Sequence, residues 1–184
     1  MSNKFTCADL HFGHKNITTF TYPNSDQRIR PFESVQEHDE ILIANWNKVV
    51  SPNDTTYILG DAVFGKKNLP LLHQLNGKKK LILGNHDIYG MKEYEKYFYD
   101  IVSCRVMYKP CKMIMTHIPV HISQLGRWKL NICGHLHTQR VLLENGEPDP
   151  RYICVSMEQI NFTPVSFDDL GKMVEERLPL IEAM

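Results

Sequence analysis

Residues able to bind a metal ion recur in five short motifs of this 184-residue chain. The motifs read DLH, GD, GNHD, TH and GHLH, in that order, and each follows a short apolar run. Carboxylate, imidazole and amide oxygen are ligands that suit Mn²⁺, iron and Zn²⁺, whereas the lack of a thiolate among them argues against a structural zinc site. The candidate metal ligands are Asp9, His11, Asp61, Asn85, His117, His135 and His137.

The number and spacing of these ligands favour two ions rather than one. Seven ligands exceed what one tetrahedral ion needs and suit two ions that share a carboxylate. Two ions roughly 3.5–4 Å apart are the usual arrangement for displacement at phosphorus. In an extended segment residues i and i+2 point the same way, so Asp9 and His11 should reach one metal region, as should His135 and His137. Glycines beside the motifs leave room for tight turns: Gly60, Gly84 and Gly134.

Predicted strands must position the motifs. Strands are predicted over residues 4–8, 56–59 and 80–83, each ending next to a motif. Ser34 with Glu37 is a capping-box signal before a helix whose apolar stripe includes Trp46, which we expect in the core. A second crossover over 69–75 completes two βα units, which predict parallel strands. Ligands bind outside the carboxyl ends of such strands, so the motifs should converge on one crevice.

The second half of the chain reads as short strands with little helix between them. These strands are predicted over residues 101–107, 112–116, 130–133, 140–143 and 152–155. A last amphipathic helix follows Ser166 and should stop near Pro179. The pattern favours two packed sheets with helices outside them.

Bulk composition sets limits on class and location. The length suits a single domain over residues 1–184, and the formal net charge of zero gives no overall attraction to nucleic acid or acidic membranes. The five cysteines include no CxxC pair and indicate no disulfide framework. No signal-peptide pattern and no bilayer-spanning apolar stretch is present, so we expect a cytoplasmic protein without a membrane partner.

The ordered set DLH, GD, GNHD, THIP and GHLH resembles the calcineurin-like metallophosphoesterase superfamily. The intervening stretches HFGHKNI, RPF, NWN and LGDAVFG resemble a compact, mainly bacterial and phage subgroup of it. The resemblance implies an α/β fold in which two mixed sheets flanked by helices form a four-layer α/β/β/α sandwich. One departure is Phe64, because many relatives have an Asp three residues after the bridging one (GDxxD).

The resemblance also implies how the ligands divide between two divalent metal ions. Asp61 would bridge the ions, and the other six ligands would divide equally between them. Mn²⁺ is the expected metal, with iron, Zn²⁺ and Ni²⁺ as alternatives. The first ion would be held by Asp9, His11 and His137, and the second by Asn85, His117 and His135.

The implied reaction is attack on phosphorus by a hydroxide that bridges the two metals. His86 would face the substrate phosphate and act as general acid toward the leaving oxygen. Asp87 follows it directly and could orient that imidazole.

Other side chains are candidates for substrate contact. Asn85 is both a ligand and a possible substrate contact, whereas His14 and His121 could contact the substrate or serve only in turns. Arg30 could clamp a phosphate with its guanidinium or be a solvated loop residue.

The expected function is hydrolysis of phosphodiesters or phosphomonoesters. A short chain without an evident cap insertion favours an open site for small phosphate esters, nucleotides or nucleic-acid ends, although the charge does not indicate nucleic acid. The alternative is a non-catalytic metal- or phosphate-binding module with the same fold. A mononuclear oxygenase site fits poorly, because it uses two His and one carboxylate. The sequence leaves the natural substrate and the oligomeric state open.

Overall fold

Two mixed β-sheets and their connecting helices make up the structure, a computed structural model that describes residues 2–184. The strands of this part of the chain, numbered in order, are Lys4–Cys7 (β1), Thr55–Ile58 (β2), Lys78–Ile82 (β3), Asp100–Val102 (β4), Arg105–Met107 (β5), Met113–Met115 (β6), Leu130–Cys133 (β7), Tyr152–Cys154 (β8) and Val165–Ser166 (β9). The α-helices are Val35–Val49 (α1), Met91–Tyr94 (α2) and Phe167–Glu182 (α3). Three 3₁₀ helices are Lys66–Gln74, Ile122–Arg127 and Met157–Ile160.

Both sheets combine parallel and antiparallel pairs, which confirms the mixed α/β class. The first sheet has the order β4-β3-β2-β1-β9, with β1 to β4 parallel and β9 antiparallel to β1. The second has the order β5-β6-β7-β8, with β6 to β8 parallel and β5 antiparallel to β6. The predicted parallel pairing of the first three strands is therefore confirmed, with Thr6 opposite Tyr57 and Tyr57 opposite Lys80.

Alternation along β2 explains how the first sheet contributes to two cores. Ile58 packs in a buried cluster with Leu42 and Trp46 of α1, as predicted for Trp46. Its neighbours Tyr57 and Leu59 point the other way, into a cluster that contains buried side chains of the second sheet and of α3. Because successive side chains of a strand face opposite sides, one strand joins both clusters.

The sequence signals for where helices begin are confirmed, whereas the signal for where the last helix ends is not. Ser34 accepts a hydrogen bond from the Glu37 N–H at 3.1 Å, and Ser166 accepts one from the Asp169 N–H at 3.0 Å. The predicted stop of the last helix near Pro179 is wrong, because α3 continues to Glu182. Its last turn is closed beyond the proline by the Ala183 N–H, which donates to the Pro179 carbonyl at 3.1 Å.

Two strand predictions in the second half need correction. The run over 101–107 is two strands, since β4 belongs to the first sheet and β5 to the second, with the chain changing sheets at Ser103 and Cys104. The run over 140–143 is not a strand: within it, only Leu142 forms a β-bridge, an isolated one to Pro148. The second crossover is a 3₁₀ helix that contains Pro70. No helix in the part of the chain described, residues 2–184, is long and apolar enough to cross a membrane.

Candidate metal centre

All seven candidate ligands follow the carboxyl ends of parallel strands. In the first sheet, one follows each of β1, β2 and β3; in the second, one follows β6 and two follow β7. The two sheets are linked at this edge, because the Ala8 N–H donates to the Val155 carbonyl at 2.8 Å and Ala8 forms a parallel bridge with Ser156. The ends of β1 and β8 therefore meet. In chain order, the six ligands that follow these strand ends are Asp9, Asp61, Asn85, His117, His135 and His137. The seventh, His11, lies two residues after Asp9.

Five of these ligands have left-handed backbone conformations. The φ angles are 59° at Asp9, 51° at His11, 54° at Asp61, 69° at His135 and 50° at His137. Such angles are uncommon outside glycine, although Asn, Asp and His adopt them more often than other residues. Each costs about 1–2 kcal/mol and persists only where the surroundings enforce it. The expectation that i and i+2 pair through extended backbone is therefore wrong, and tight turns aim these side chains instead.

The ligand atoms form two overlapping groups whose members lie within 4.8 Å of one another: Asp9, His11 and His137, and Asp9, Asp61 and His117. The Asp61 carboxylate lies between imidazoles of both groups. Its Oδ2 is 3.7 Å from His11 Nε2 and 3.4 Å from His117 Nε2.

The two remaining candidates border the second group and are more exposed. Asn85 Oδ1 lies 2.9 Å from His117 Nε2. The His135 ring is 5.1 Å from the His117 ring, centroid to centroid. The structure thus brings the seven residues predicted as ligands to one site.

Unpartnered buried atoms indicate that this cluster suits a cation. Within the described residues, Asp9 Oδ1 and both ring nitrogens of His11 are buried without a hydrogen-bond partner. Leaving such a group unsatisfied costs about 1–3 kcal/mol. An ion bound by Asp9 Oδ1 and one ring nitrogen of His11 would satisfy two of these three atoms, so the residues present fit a metal ion.

The electrostatics of the cluster also favour a bound cation. Burial, together with the nearby Arg30 charge, lowers the pKa of His11 well below its ordinary value and so favours the neutral imidazole, in which one ring nitrogen can bind a metal ion. Burial opposes the charge on Asp61, but His117 and the His86 N–H outweigh it and lower the Asp61 pKa to about 2. Burial also opposes the charge on His117, yet Asp61 and Asp9 raise its pKa to about 9. Two carboxylates therefore make this a place where positive charge is favoured.

Close backbone approach at the strand ends requires small residues. Gly60 has a φ of 83°, and a Cβ built on it would lie 2.4 Å from His117 Nδ1 and 2.7 Å from the Cα of Gly84. A side chain at position 60 would therefore displace His117, so the predicted need for space here is confirmed.

Comparison with known proteins finds a relative over nearly the whole chain. Uncharacterized protein MJ1445 of Methanocaldococcus jannaschii is 35% identical over 185 residues, which span 96% of this chain and 93% of that protein. This chain belongs to the MJ1445 family. The Gene 66 protein of Mycobacterium phage L5 is 38% identical over 92 residues, 47% of this chain and 41% of its own length. No model of a known protein family matches.

A solved structure has the same fold as this MJ1445 family member. A protein of unknown function from Aquifex aeolicus, AQ665, aligns with a TM-score of 0.70 at 25% identity, over 94% of this chain and all of that one. The nuclease MPE of Pseudomonas putida aligns with a TM-score of 0.45 at 18% identity, over 79% of this chain and 66% of its own. The similarity to MPE is too low to establish a shared fold.

A cavity of about 530 Å³ opens beside the ligands and contains some of the predicted substrate contacts. His14 and His86 line it together with His11, and their rings lie 5.7 and 5.6 Å from the His11 ring. His121 is not brought to this centre. It is exposed on a different cavity, where its Nδ1 accepts a hydrogen bond from the Ser123 N–H at 3.2 Å.

The structure corrects both readings of Arg30. Its side chain is fully buried, so it is neither a solvated loop residue nor able to clamp a substrate phosphate. Its guanidinium donates to the Asp9 carbonyl at 2.5 Å, to the Leu10 carbonyl at 3.1 Å and to Glu158 Oε1 at 2.7 Å. It also lies 2.8 Å from His38 Nε2. Arg30 therefore fixes the backbone of the loop that carries Asp9 and His11.

Asp87 has a different role from the one predicted. Its carboxylate does not orient His86; it accepts hydrogen bonds from the backbone N–H groups of Asp61 at 2.8 Å, Ala62 at 3.2 Å and Gly84 at 2.8 Å. Burial raises its pKa, and these backbone donors oppose the shift. Asp87 thus connects the loop that carries Asp61 to the loop that carries Asn85.

Sequence reasoning missed residues that support the ligands from other segments. Glu158 Oε1 lies 2.8 Å from His137 Nδ1, and the side chain is almost fully buried. Ser156 donates to Asp9 Oδ2 at 2.6 Å, and the His135 N–H donates to the same oxygen at 2.8 Å. Ser156 and Glu158 belong to none of the five motifs, so the sequence carries no local signal for them.

Proposed function

We propose that this protein is a dinuclear metal-dependent phosphoesterase of the calcineurin-like metallophosphoesterase superfamily. The single observation that carries the proposal is the convergence of seven candidate ligands at strand ends, five of them in two overlapping groups that share Asp9 and the other two beside His117. The two mixed sheets are compatible with the four-layer sandwich of that superfamily, which we propose as one domain over residues 1–184.

Asp61 is the proposed bridging ligand. Its Oδ1 accepts the His86 N–H at 2.9 Å, which fixes the carboxylate so that Oδ2 faces imidazoles of both groups. Asp9 has only Oδ1 free, because its Oδ2 is used by Ser156 and by the His135 N–H. Following the resemblance, we assign Asp9, His11 and His137 to one ion and Asn85, His117 and His135 to the other; the grouping of Asp9, His11 and His137 supports the first assignment.

The chain's own residues suit hydrolysis at phosphorus. When bound, two divalent ions would supply a water of lowered pKa and neutralise charge on the phosphate oxygens. His86 is exposed on the cavity, and its backbone is fixed by Asp61, so its imidazole can deliver a proton to the leaving oxygen. Glu158 fixes the orientation of the His137 ring by binding its Nδ1, which leaves Nε2 as the ligand atom.

The open cavity supports a small substrate. The expected substrates are phosphodiesters or phosphomonoesters, nucleotides among them. We propose Mn²⁺ as the metal because the set mixes oxygen and imidazole ligands, with iron, Zn²⁺ and Ni²⁺ as the alternatives to be tested.

The test is metal-dependent hydrolysis by chelator-treated protein. Mn²⁺, Fe²⁺, Ni²⁺, Zn²⁺ or Mg²⁺ is added back separately, and release of p-nitrophenolate is measured from p-nitrophenyl phosphate and from bis-p-nitrophenyl phosphate. We expect turnover with at least one metal, and the preferred ester distinguishes a phosphatase from a phosphodiesterase. The number of bound ions is measured in parallel by calorimetry, with two expected.

Two variants make the result specific to the site. Asp61→Asn should abolish turnover and reduce the number of bound ions. Asp26→Asn removes the same charge from an exposed loop residue and should leave both unchanged. If the wild-type protein binds two ions but hydrolyses neither ester with any metal, catalysis on simple phosphate esters is excluded. The non-catalytic binding module then becomes the better reading.

A further inference from the structure

Two kinds of side chain predominate in the lining of the cavity beside the candidate metal centre, and we call each group a wall; the polar residues Thr138, Gln139 and Glu158 complete the lining. One wall consists of imidazoles, including the candidate ligands His11, His135 and His137. The other wall is apolar and is formed by Ile17, Phe20, Ile29 and Leu136. A ligand in this cavity would therefore present a charged group to one wall and an apolar group to the other.

Phe20 is the most exposed member of the apolar wall. Phe20 is 48% exposed, whereas Ile17 of the same cavity lining is buried. The Phe20 ring lies 5.9 Å from the His14 ring, centroid to centroid, and is tilted by 53° from it. An accessible aromatic face next to the metal ligands is a surface on which a planar group can stack.

The loop that carries Phe20 is held in place. The Ile29 N–H donates to the Phe20 carbonyl at 2.8 Å, and the Tyr22 N–H donates to the Gln27 carbonyl at 3.0 Å. Thr21 and Arg28 form an antiparallel bridge within the same loop. Phe20 is therefore positioned before a ligand arrives, which lowers the entropy cost of binding.

Size and charge narrow the class of ligand. A cavity of about 530 Å³ is within the ordinary range for a ligand the size of a nucleotide. Among the described residues that line it there is no Lys or Arg, so nothing in the lining follows the backbone of a long polyanion. The apolar wall suits a neutral group, and the exposed ring suits a planar one.

We propose that Phe20 and the apolar wall form a subsite for a planar aromatic group esterified to the phosphate, such as the base-bearing part of a nucleotide diester. The inference rests on the proposed function, since it takes the phosphate to lie at the metal centre. Base stacking on an aromatic side chain tolerates different bases, because every base has a flat face.

The test compares three diesters with the same leaving group and charge. Thymidine 5′-p-nitrophenyl phosphate, phenyl p-nitrophenyl phosphate and methyl p-nitrophenyl phosphate differ only in the ester group that is retained. We expect kcat/KM for the thymidine ester to exceed that for the methyl ester by about ten-fold or more, the size expected for one stacked base. Phe20→Ala should bring this ratio close to one, and Phe20→Trp should preserve it.

Controls separate this subsite from general damage and from the proposed activity. Tyr108→Ala removes an exposed aromatic side chain outside the cavity and should leave the ratio unchanged. A gain shared by the phenyl ester assigns the subsite to aryl groups in general, and a gain confined to thymidine assigns it to the nucleobase. Equal ratios in wild type and Phe20→Ala overturn the inference while leaving phosphoesterase activity standing.

A binding measurement covers failure of the proposed activity itself. If no ester turns over, calorimetry of the Mn²⁺-loaded protein compares thymidine 5′-monophosphate with inorganic phosphate. If the nucleotide binds more tightly than inorganic phosphate, and if Phe20→Ala abolishes this difference, the subsite is supported without any catalysis. Equal affinity of both ligands overturns it.

Discussion

Replacing Arg30 by Met should strongly destabilise the protein. The guanidinium is fully buried and donates to two backbone carbonyls of the first ligand loop, those of Asp9 and Leu10, and to the Glu158 carboxylate. Methionine fills much of the same space but cannot donate a hydrogen bond. The variant would leave the buried Glu158 carboxylate without its guanidinium partner, with His137 still beside it, and would leave two carbonyls without their donor.

The expected magnitude follows from that loss. Removing one partner of a buried ion pair costs about 3–5 kcal/mol, because the remaining charge stays buried. For a chain of this length, about 1 kcal/mol corresponds to roughly 2–4 °C in Tm. We therefore expect Arg30→Met to unfold at least about 6 °C below wild type. The Tm is measured by thermal unfolding of chelator-treated protein and the free energy of unfolding by urea denaturation, each followed by tryptophan fluorescence and circular dichroism.

Arg28→Met is the matched control in the same loop. Arg28 is 44% exposed and lies 3.5 Å from the exposed Glu33, and surface pairs of this kind contribute about 0–1 kcal/mol. If Arg30→Met costs no more than Arg28→Met, the reasoning about the buried network is refuted. The double variant Arg30→Met with Glu158→Met should lose less than the sum of the single losses, because it removes both charges together.

Two further predictions address the strand ends. Asp87→Asn should lower the free energy of unfolding by about 1–3 kcal/mol in urea denaturation, because an amide nitrogen replaces one acceptor of the three backbone N–H groups; no change would show that these bonds contribute nothing. Gly134→Ala should cost about 1–3 kcal/mol in thermal unfolding, since its Cβ would lie 2.5 Å from Ala8 Cβ and 2.9 Å from the Leu59 carbonyl oxygen. Gly126→Ala, whose Cβ meets nothing within 4 Å, should be nearly neutral, and an equal loss in both variants would contradict the steric argument.

The features that were predictable from sequence are local. Short runs that become apolar toward their ends indicate β1, β2 and β3, although β3 begins at Lys78, two residues before the predicted start, and the change from apolar to ligand-bearing residues marks where each strand ends. The parallel order of these strands follows from their crossovers. Because parallel strands end at one edge, the grouping of the candidate ligands could be predicted without knowing any contact between them.

The features that could not be predicted depend on contacts between distant residues. Arg30 looks like a loop residue in sequence, and its burial depends on Glu158, which is 128 residues away. The role of Asp87 depends on the amide of Asp61, 26 residues earlier. The run over 101–107 has uniform strand character, and only the packing of two sheets reveals where it divides. Periodicity carries no information on any of these pairings.

The left-handed ligands explain why such distant supports are present. Five residues at about 1–2 kcal/mol each cost on the order of 5–10 kcal/mol, which is comparable to the whole stability of a typical domain. At four of the five, a side chain from another segment binds the backbone of the strained residue. The Asp9 carbonyl accepts from Arg30, and the Asp61 N–H donates to Asp87.

The other two supported residues are His135 and His137. Their supports come from Asp9, within the centre itself, and from Gln159, after the last ligand motif. The His135 N–H donates to Asp9 Oδ2 at 2.8 Å, and Gln159 donates to the His137 carbonyl at 2.7 Å. Each bond joins a strained residue to a different segment of the chain, so the assembled fold supports the ligand geometry. A metal ion would then meet ligands that are already in position, and little of its binding free energy would be spent on ordering them.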